Sequence, residues 1–288
     1  LMAGVGVTPL NVLGADVEGN IGHVLAATLP QRDGFPENDW VLSPEQATAS
    51  WARRVCARDF PSSMNPSEGY LVSANNRPSE VQGLGFLFNG DDRVFRAQSL
   101  LNGQTRFSPQ RLLDVQLDVT SPLAEKLSSG IAAYCRPYAI GSEQHVLCNS
   151  LDHWAGTYSA DSFAALQFEF LLAALVRELS AVRHAGRIPS LMDQWSYLTA
   201  CLLEDLELLD EPIRARIVPL CLGEASRKAQ HWQLWGNLHK IRLRHVLGFV
   251  PVLGKLFGTT TSKGARTELS RHKVQVSAEV AAQLDRKS

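Results

Sequence analysis

The sequence predicts an α+β fold in which a strand-rich part is followed by a helical block. Up to about residue 101, short apolar segments of strand length alternate with Gly, Pro and Asn, which interrupt regular structure. From Ser108 onward, apolar residues recur at the three- and four-residue spacing of helices. We therefore expect three parts: the strand-rich residues 1–107, the mainly helical residues 108–257, and a basic, poorly ordered segment at residues 258–288.

Four segments of the first part have strand length and are rich in β-branched or aromatic residues. They are residues 5–15, 21–29, 70–74 and 86–88. Between the first two, Asp16–Asn20 predicts a hairpin turn in which Gly19 is free to adopt positive φ. Residues 40–66 are polar and contain Pro, so we expect a surface excursion there.

The helical block opens with two N-cap signals. Ser108 and Ser121 each precede a Pro, and this pair is typical of the first turn of a helix. The apolar surface of residues 161–184 is wide enough to predict a largely buried helix. Further helices are predicted over residues 191–209, from Pro212 onward, and over residues 224–245.

Composition and charge exclude several classes of protein. Hydrophobic residues make up 45% of the chain and charged residues 20%, so the chain has enough apolar surface to fold. The net charge of -1 argues against binding nucleic acid through overall positive charge. The longest apolar stretch, residues 163–176, contains Gln167 and Glu169 and is too short to span a bilayer. We therefore expect neither nucleic acid nor a membrane as a partner.

The part after Ala225 is locally basic, with twelve Lys and Arg against three Asp and Glu. A solvated helix face followed by a tail accounts for this pattern. A surface for nucleic acid or an anionic membrane is the other interpretation, but no aromatic interleaving or known nucleic-acid motif supports it.

The cysteines and histidines form no metal-binding pattern. The five cysteines are odd in number and contain no CxxC pair, which excludes a full disulfide framework and argues against a cysteine zinc site. Buried free thiols are the favoured interpretation, and a single bridge between Cys135 and Cys148 is the other. His239 and His245 are six residues apart and not on one helical face, so we expect His239 to be hydrogen-bonded beside a packed Trp235.

Common catalytic motifs such as GxSxG, HExxH, the Walker A loop and GxGxxG are absent from the sequence. The informative stretch is residues 65–101, where a predicted strand ends in Asn75 and Asn76 and Arg93 opens a helix. This arrangement can place an amide NH₂ donor beside a fixed cation, as acyl-transfer chemistry requires for a developing oxyanion. On spacing alone, however, a turn and a surface ion pair account better for these residues.

A set of ordered motifs favours the catalytic interpretation of Asn75 and Arg93. In their order and spacing, they resemble the middle of the catalytic chain of the penicillin acylase family, a family of N-terminal-nucleophile hydrolases. The resemblance extends from about Val7 to Phe257. The motifs are Thr8–Asn11, Ala15–Gly22, Leu29–Arg32, Asn65–Pro66, Gly69–Tyr70, Ala74–Arg77, Arg93–Arg96 with Leu100–Leu101, Gln116–Asp118 and Trp235–His239.

The resemblance implies an αββα sandwich and a set of site residues. In this family a serine at the start of the catalytic chain attacks the carbonyl of an amide, and its own α-amine acts as the base. The resemblance then implies that Asn75 supplies the oxyanion amide and that Arg93 orients it. It also implies that Leu10 lines the acyl-side pocket and that Asn11 is a structural amide near the floor of this pocket.

The chemistry that the resemblance implies requires no cofactor, but the family has a structural calcium ion. An aspartate ligand of that ion lies eleven residues before the arginine, where this sequence has Gln82, and Pro36 matches a proline carbonyl ligand. Ca²⁺ prefers carboxylate and carbonyl oxygens, and the other ligands are not in this sequence. The sequence therefore carries at most part of a calcium site.

The nucleophile is the other departure from the family pattern. Leu1 opens the sequence and its first serine is Ser43, in the predicted surface excursion. We therefore expect a partial catalytic chain, inactive alone, whose serine, smaller α chain and preceding segment lie elsewhere. The expected substrate is a small-molecule amide, and the resemblance implies a periplasmic or secreted enzyme. A non-catalytic homologue that acts as a scaffold subunit is the alternative.

Overall fold

The computed structural model describes residues 10–30, 42–78, 91–104, 106–183, 195–244 and 259–263. The chain divides into two compact units, Leu1–Ser108 and Pro109–Ser288. Both helices and small antiparallel sheets are present, in agreement with the predicted α+β class. Within the described stretches, every helix is too short or too polar to span a lipid bilayer.

Small antiparallel sheets make up much of the described part of the first unit. Its strands are β1 (Leu10–Ala15), β2 (Ile21–Ala26), β3 (Thr28–Pro30), β4 (Arg54–Cys56) and β5 (Ser62–Met64). The order β1-β2-β5 forms one sheet, and β3 pairs with β4. Leu25, Ala27 and Phe60 form a small buried cluster beneath these strands.

The predicted hairpin turn between β1 and β2 is confirmed. Gly19 has a φ of 88°, and the Asp16 carboxylate accepts hydrogen bonds from the backbone nitrogens of Glu18 and Asn20. A further bond from the Asn20 side chain lowers the pKa of Asp16. Asn65 ties this turn to the end of β5, since its Oδ1 accepts from Ile21 N at 2.9 Å. The turn is thus held by amide side chains on both sides.

The first unit departs from the sequence predictions in two places. The described part of the predicted surface excursion at residues 40–66 is mostly exposed, but it contains helix α1 (Pro44–Ala52) as well as β4 and β5, which the sequence did not predict. Ser43 and Gln46 form a capping box that starts α1. Residues 70–74 are not a strand, since among the described residues they have no ladder partner. The predicted strand at residues 86–88 lies outside the described residues.

Helix α2 (Asp92–Leu101) begins one residue before Arg93, where the sequence predicts a helix start. Its buried side chains are Val94, Ala97 and Leu101, which share one face of the helix. That face anchors α2, so the position of Arg93 in its first turn is set by the packing of the rest of the helix.

The second unit is mainly helical. Its described helices are α3 (Pro109–Gln116), α4 (Pro122–Cys135), α5 (Gly141–Asp152), α6 (Phe163–Arg183), α7 (Trp195–Glu207), α8 (Glu211–Trp232) and α9 (Trp235–Leu238). The helix starts predicted after Ser108 and Ser121 are confirmed, and the Ser121 hydroxyl accepts from Ala124 N. The sequence did not predict α5.

Helix α6 is the centre of the core of the second unit and packs chiefly against α8. It is buried along most of its length, as its wide apolar surface predicts. Burial of each large apolar side chain stabilises the fold by about 1.5–3 kcal/mol. Its fully buried large side chains are Leu166, Phe168, Phe170, Leu171, Leu172 and Leu175.

The predicted helix over residues 224–245 is wrong. Helix α8 runs without a break from Glu211 to Trp232, because its buried face continues past Pro219 at helical spacing through Val218, Leu222 and Ala225. The chain then forms α9 and strand β6 (Lys240–Arg244), which pairs with β7 (Thr259–Lys263). The rest of the C-terminal segment lies outside the described residues.

The five cysteines are free thiols, which confirms the favoured prediction of buried free thiols in part, because Cys56 and Cys201 are only partly buried. Cys135, Cys148 and Cys221 are buried, and burial raises the pKa of Cys221 to about 12. Trp235 is buried and stacks on the His239 ring with 5.2 Å between centroids, as the packing prediction expects.

Candidate active site

Asn75 lies in a bend between β5 and α2, with its side chain exposed. Its φ is 62°, in the left-handed region. This region costs an ordinary residue roughly 1–2 kcal/mol, and Asn adopts it more readily than most. The sequence therefore places at this bend a residue that can both adopt the backbone conformation and present an amide to solvent.

Arg93 contacts this bend from the first turn of α2. Its Nη1 donates to the backbone oxygen of Ala74 at 3.2 Å and to Asn75 Oδ1 at 3.4 Å. A guanidinium has donors only, so the Asn75 atom that faces it is the oxygen. The Asn75 NH₂ group is consequently directed away from the cation.

The backbone of the bend has further side-chain partners. Asn76 Oδ1 accepts from Ala74 N at 3.3 Å, and Asn76 Nδ2 donates to Arg77 O at 3.0 Å. Ala74 is only 5% exposed, so its polar backbone atoms need partners within the protein. Chemically, the bend is a short loop that presents one NH₂ donor beside a fixed positive charge.

Leu10 and Asn11 are neighbours in β1, so their side chains point to opposite faces of the sheet. Asn11 Oδ1 lies 2.9 Å from His23 Nε2 in β2. Partial burial lowers the pKa of His23, which favours a neutral imidazole that donates from Nε2 to Asn11. Leu10 is 49% exposed on the other face. The side chains of Leu10 and Asn11 therefore cannot both line a pocket on one face of the sheet.

The model of the family described as penicillin amidase matches residues 1–284 of the 288-residue chain. The chain belongs to the penicillin amidase family. The bend at Ala74–Arg77 and the arginine at the start of α2 are thus parts of a penicillin amidase chain.

A relative within the penicillin amidases is the penicillin acylase 2 proenzyme of Pseudomonas sp. (strain SE83). It is 26% identical to this chain over 182 residues, which cover 62% of the chain. The same alignment covers 23% of the length of the relative. The aligned part of this chain therefore spans about a quarter of the length of that proenzyme.

Pro36 and Gln82, the predicted calcium positions of this penicillin amidase chain, lie outside the described residues. Among the described residues, no group of three or more His, Cys, Asp and Glu side chains is arranged to hold a metal ion. The roles predicted for Asn75, Arg93, Leu10 and Asn11 stay predictions, although the structure brings Asn75 and Arg93 into contact.

Two groups near these residues were not predicted from the sequence: the His23 side chain and the backbone oxygen of Ala74. His23 had a detectable signal, because in the predicted hairpin it lies on the same face as Asn11. The register pairs Leu13 with His23 and Asn11 with Leu25, which makes Asn11 and His23 diagonal neighbours. The role of the Ala74 carbonyl could not be predicted in this way, because every residue has a backbone carbonyl and the sequence does not show which one accepts a side-chain hydrogen bond.

The second unit contains an open pocket of about 400 Å³. Its lining includes Glu125, Asp152, His153 and Trp154. The polar groups here are engaged locally, because Asp152 forms an ion pair with Arg136 and His153 Nδ1 lies 2.8 Å from Asn149 O. The residues that line this pocket include no Asn or Gln, so the pocket has no side-chain amide donor like that of Asn75.

Proposed function

We propose that this chain supplies the oxyanion-binding part of an amidohydrolase that cleaves a linear carboxamide of small acyl compounds. The observation that carries the proposal is the contact between Arg93 Nη1 and Asn75 Oδ1. This contact turns the NH₂ group of Asn75 outward, where it can donate to a substrate oxygen. Membership in the penicillin amidase family supports amide hydrolysis as the reaction.

In the proposed first step, a serine at the amino end of the catalytic chain attacks the substrate carbonyl carbon through its Oγ. We place this serine outside the 288 residues. Its own α-amine accepts the hydroxyl proton, which suits a group with an ordinary pKa of about 7.7–8.0. The carbonyl π electrons move to oxygen, and the resulting oxyanion accepts a hydrogen bond from Asn75 Nδ2.

In the second step the tetrahedral intermediate collapses. The C–N bond breaks, the leaving amine takes the proton from the α-amine, and an acyl-serine ester remains. A water molecule then attacks the ester, again with proton transfer to the α-amine. A second oxyanion forms at the same place, so Asn75 acts in both halves of the reaction. This second intermediate collapses, the C–Oγ bond breaks, and Oγ takes the proton back from the α-amine, so the free acid is released and the serine is regenerated.

Arg93 is assigned an orienting role in this scheme. Its guanidinium stays protonated at any working pH, so its hydrogen bond to Asn75 Oδ1 does not vary with pH. A donor that is already aimed at the oxyanion needs no reorganisation during the reaction, and this is the main source of its catalytic effect. The positive charge nearby also favours a negative oxygen over a neutral one.

The larger assembly is part of the same proposal. The sheet β1-β2-β5 would belong to an αββα N-terminal-nucleophile sandwich, completed by the rest of the catalytic chain and a smaller α chain. The family resemblance also supports a periplasmic or secreted location. A calcium ion is not needed for the chemistry, and Gln82 in place of a carboxylate ligand argues for a weakened site.

The test uses the full product of the gene that encodes this chain. Release of 4-nitroaniline is measured from a panel of N-acyl 4-nitroanilides with aliphatic and arylacetic acyl groups. We expect Asn75→Ala to lower kcat about 10²–10³-fold with little change in KM. The control is Asn237→Ala, since Asn237 is also an asparagine that bonds to backbone, through Trp232 O in the second unit.

Two outcomes would contradict the proposal. One is hydrolysis that Asn75→Ala leaves unchanged, which removes Asn75 from the oxyanion site. The other is a correctly folded full-length product that hydrolyses no member of the panel, which favours the scaffold alternative.

A further inference from the structure

The side chain of Asn76 bridges the backbone on both sides of Asn75. Its Oδ1 accepts from the N–H of Ala74, the residue before Asn75. Its Nδ2 donates to the carbonyl of Arg77, two residues after Asn75. One side chain therefore fixes the peptide groups at both ends of the bend.

Asn75 needs such support because its φ of 62° is a conformation that a flexible loop leaves easily. Its exposed side chain makes a long contact of 3.4 Å with Arg93, which alone holds the amide weakly. A backbone rotation at Asn75 would swing the NH₂ group away from any fixed point. The local hydrogen bonds of its neighbours are what oppose that rotation.

Ala74 shows how the support is divided. Its buried carbonyl accepts from Arg93 Nη1, and its N–H donates to Asn76 Oδ1. The residue before Asn75 is thus held from two directions, by a helix residue 19 positions away and by the side chain of Asn76. Arg93 thus holds the bend against helix α2, and Asn76 stabilises the backbone conformation of the bend.

We propose that Asn76 is the positioning residue of the oxyanion amide, acting through its two backbone hydrogen bonds to hold Asn75 at positive φ. This inference rests on the proposed function of Asn75. Asn76 does not touch the substrate in this scheme, so its loss misplaces the donor without removing it. A misplaced catalytic group lowers kcat and leaves substrate binding nearly intact.

The test compares Asn76→Ala, Asn76→Asp, Asn75→Ala and Asn237→Ala in the full gene product, with the best 4-nitroanilide of the panel. Asn76→Ala removes both bonds, and we expect kcat to fall about 10- to 100-fold with KM within about twofold. Asn76→Asp keeps the acceptor for Ala74 N–H, but it loses the donor to Arg77 and places a carboxylate oxygen opposite the Arg77 carbonyl. We expect it to recover part of the lost kcat.

The outcomes separate this inference from the proposed function. If Asn75→Ala lowers kcat and Asn76→Ala does not, the inference is wrong and the role of Asn75 stands. If Asn75→Ala has no effect, both fail. If Asn237→Ala lowers kcat and Tm as much as Asn76→Ala does, the effect of Asn76 is general stability and the inference is wrong. If Asn76→Ala does not fold, Asn76→Asp alone provides the test, because it lacks the hydrogen bond to Arg77 O. A wild-type kcat in Asn76→Asp would overturn the inference. A lowered kcat with an unchanged KM would support it.

Discussion

The Arg93 guanidinium reaches across 18 positions of the chain to the side-chain oxygen of Asn75, with 3.4 Å between Nη1 and Oδ1. The same nitrogen donates to the backbone oxygen of Ala74, the preceding residue. One cation thus contacts both the backbone and the side chain of the bend. Because a guanidinium cannot accept a hydrogen bond, this contact also determines which end of the Asn75 amide faces outward.

Arg93→Lys tests whether geometry or charge matters at this position. Lysine keeps the positive charge, but its shorter side chain and flexible ammonium do not fix a donor at the position of Nη1, which reaches both Ala74 O and Asn75 Oδ1. We expect kcat of the full gene product to fall about tenfold or more, with KM little changed. The exposed Arg53, at the end of α1, provides the matched control Arg53→Lys. A wild-type kcat for Arg93→Lys would show that charge alone suffices.

The positive φ of Asn75 predicts a difference between two substitutions. Asn75→Ala and Asn75→Gly both remove the amide, but only Ala places a Cβ in the left-handed region. We expect Asn75→Ala to have a free energy of unfolding about 1 kcal/mol lower than that of Asn75→Gly. Urea denaturation of both variants measures this difference. Equal stabilities would mean that the bend relaxes to an ordinary conformation in solution.

Much of the fold follows from local signals. The turn at Asp16–Asn20 and the starts of α3 and α4 are predicted because the residues that form them are adjacent in sequence. Residues 70–74 show the limit of this reasoning, since an apolar extended segment becomes a strand only if another strand lies beside it. The break predicted within α8 fails for a related reason, because the buried face of this helix continues through Pro219.

At the candidate site, too, some contacts could be predicted from the sequence and others could not. The pairing of Asn75 with Arg93 came from the resemblance, since the spacing alone favours a turn and a surface ion pair. The contact of His23 with Asn11 was within reach of the sequence, because both lie on one face of a predicted hairpin. The hydrogen bonds from the Asn76 side chain to the backbone could not be predicted from the sequence, because they depend on the conformation of a single bend.

Gly156 is expected to tolerate no side chain. Its φ is 68°, and a Cβ would lie 2.3 Å from the backbone oxygen of Ser121. Gly141 has a similar φ of 77° but open space around the same position, so Gly141→Ala isolates the backbone strain. We expect Gly141→Ala to cost about 1 kcal/mol of unfolding free energy and Gly156→Ala about 3 kcal/mol or more. Calorimetry of the two variants would contradict the structure if their Tm values were equal.

Glu224 links α6 to α8 and predicts a pH dependence of stability. Burial raises the pKa of this carboxyl, but hydrogen bonds from Arg177 at 2.7 Å and Lys228 at 2.6 Å outweigh burial and hold the pKa at about 2. Because the folded pKa lies below the ordinary value of 4.5, the stabilisation is present above pH 4.5 and is lost as the pH falls toward 2.

Glu224→Gln should therefore lower the free energy of unfolding by about 1–2 kcal/mol at pH 7, allowing for solvent screening of the partly exposed pair. The difference from wild type should shrink between pH 4.5 and pH 2. Glu204→Gln, at an exposed position in the last turn of α7, is the control and should be nearly neutral. A destabilisation by Glu224→Gln that is the same at pH 7 and pH 2.5 would rule out the ion pair as its cause.

Asn75→Asp tests the oxyanion role most directly, because it replaces the NH₂ donor with a carboxylate oxygen at nearly constant shape and preserves an acceptor for Arg93. The measurement is kcat and KM of the full gene product with its best 4-nitroanilide substrate. The account predicts that kcat falls at least about 100-fold while KM changes little. A kcat close to that of the wild type would contradict the account, because an Asp at position 75 has no NH₂ group with which to stabilise the oxyanion.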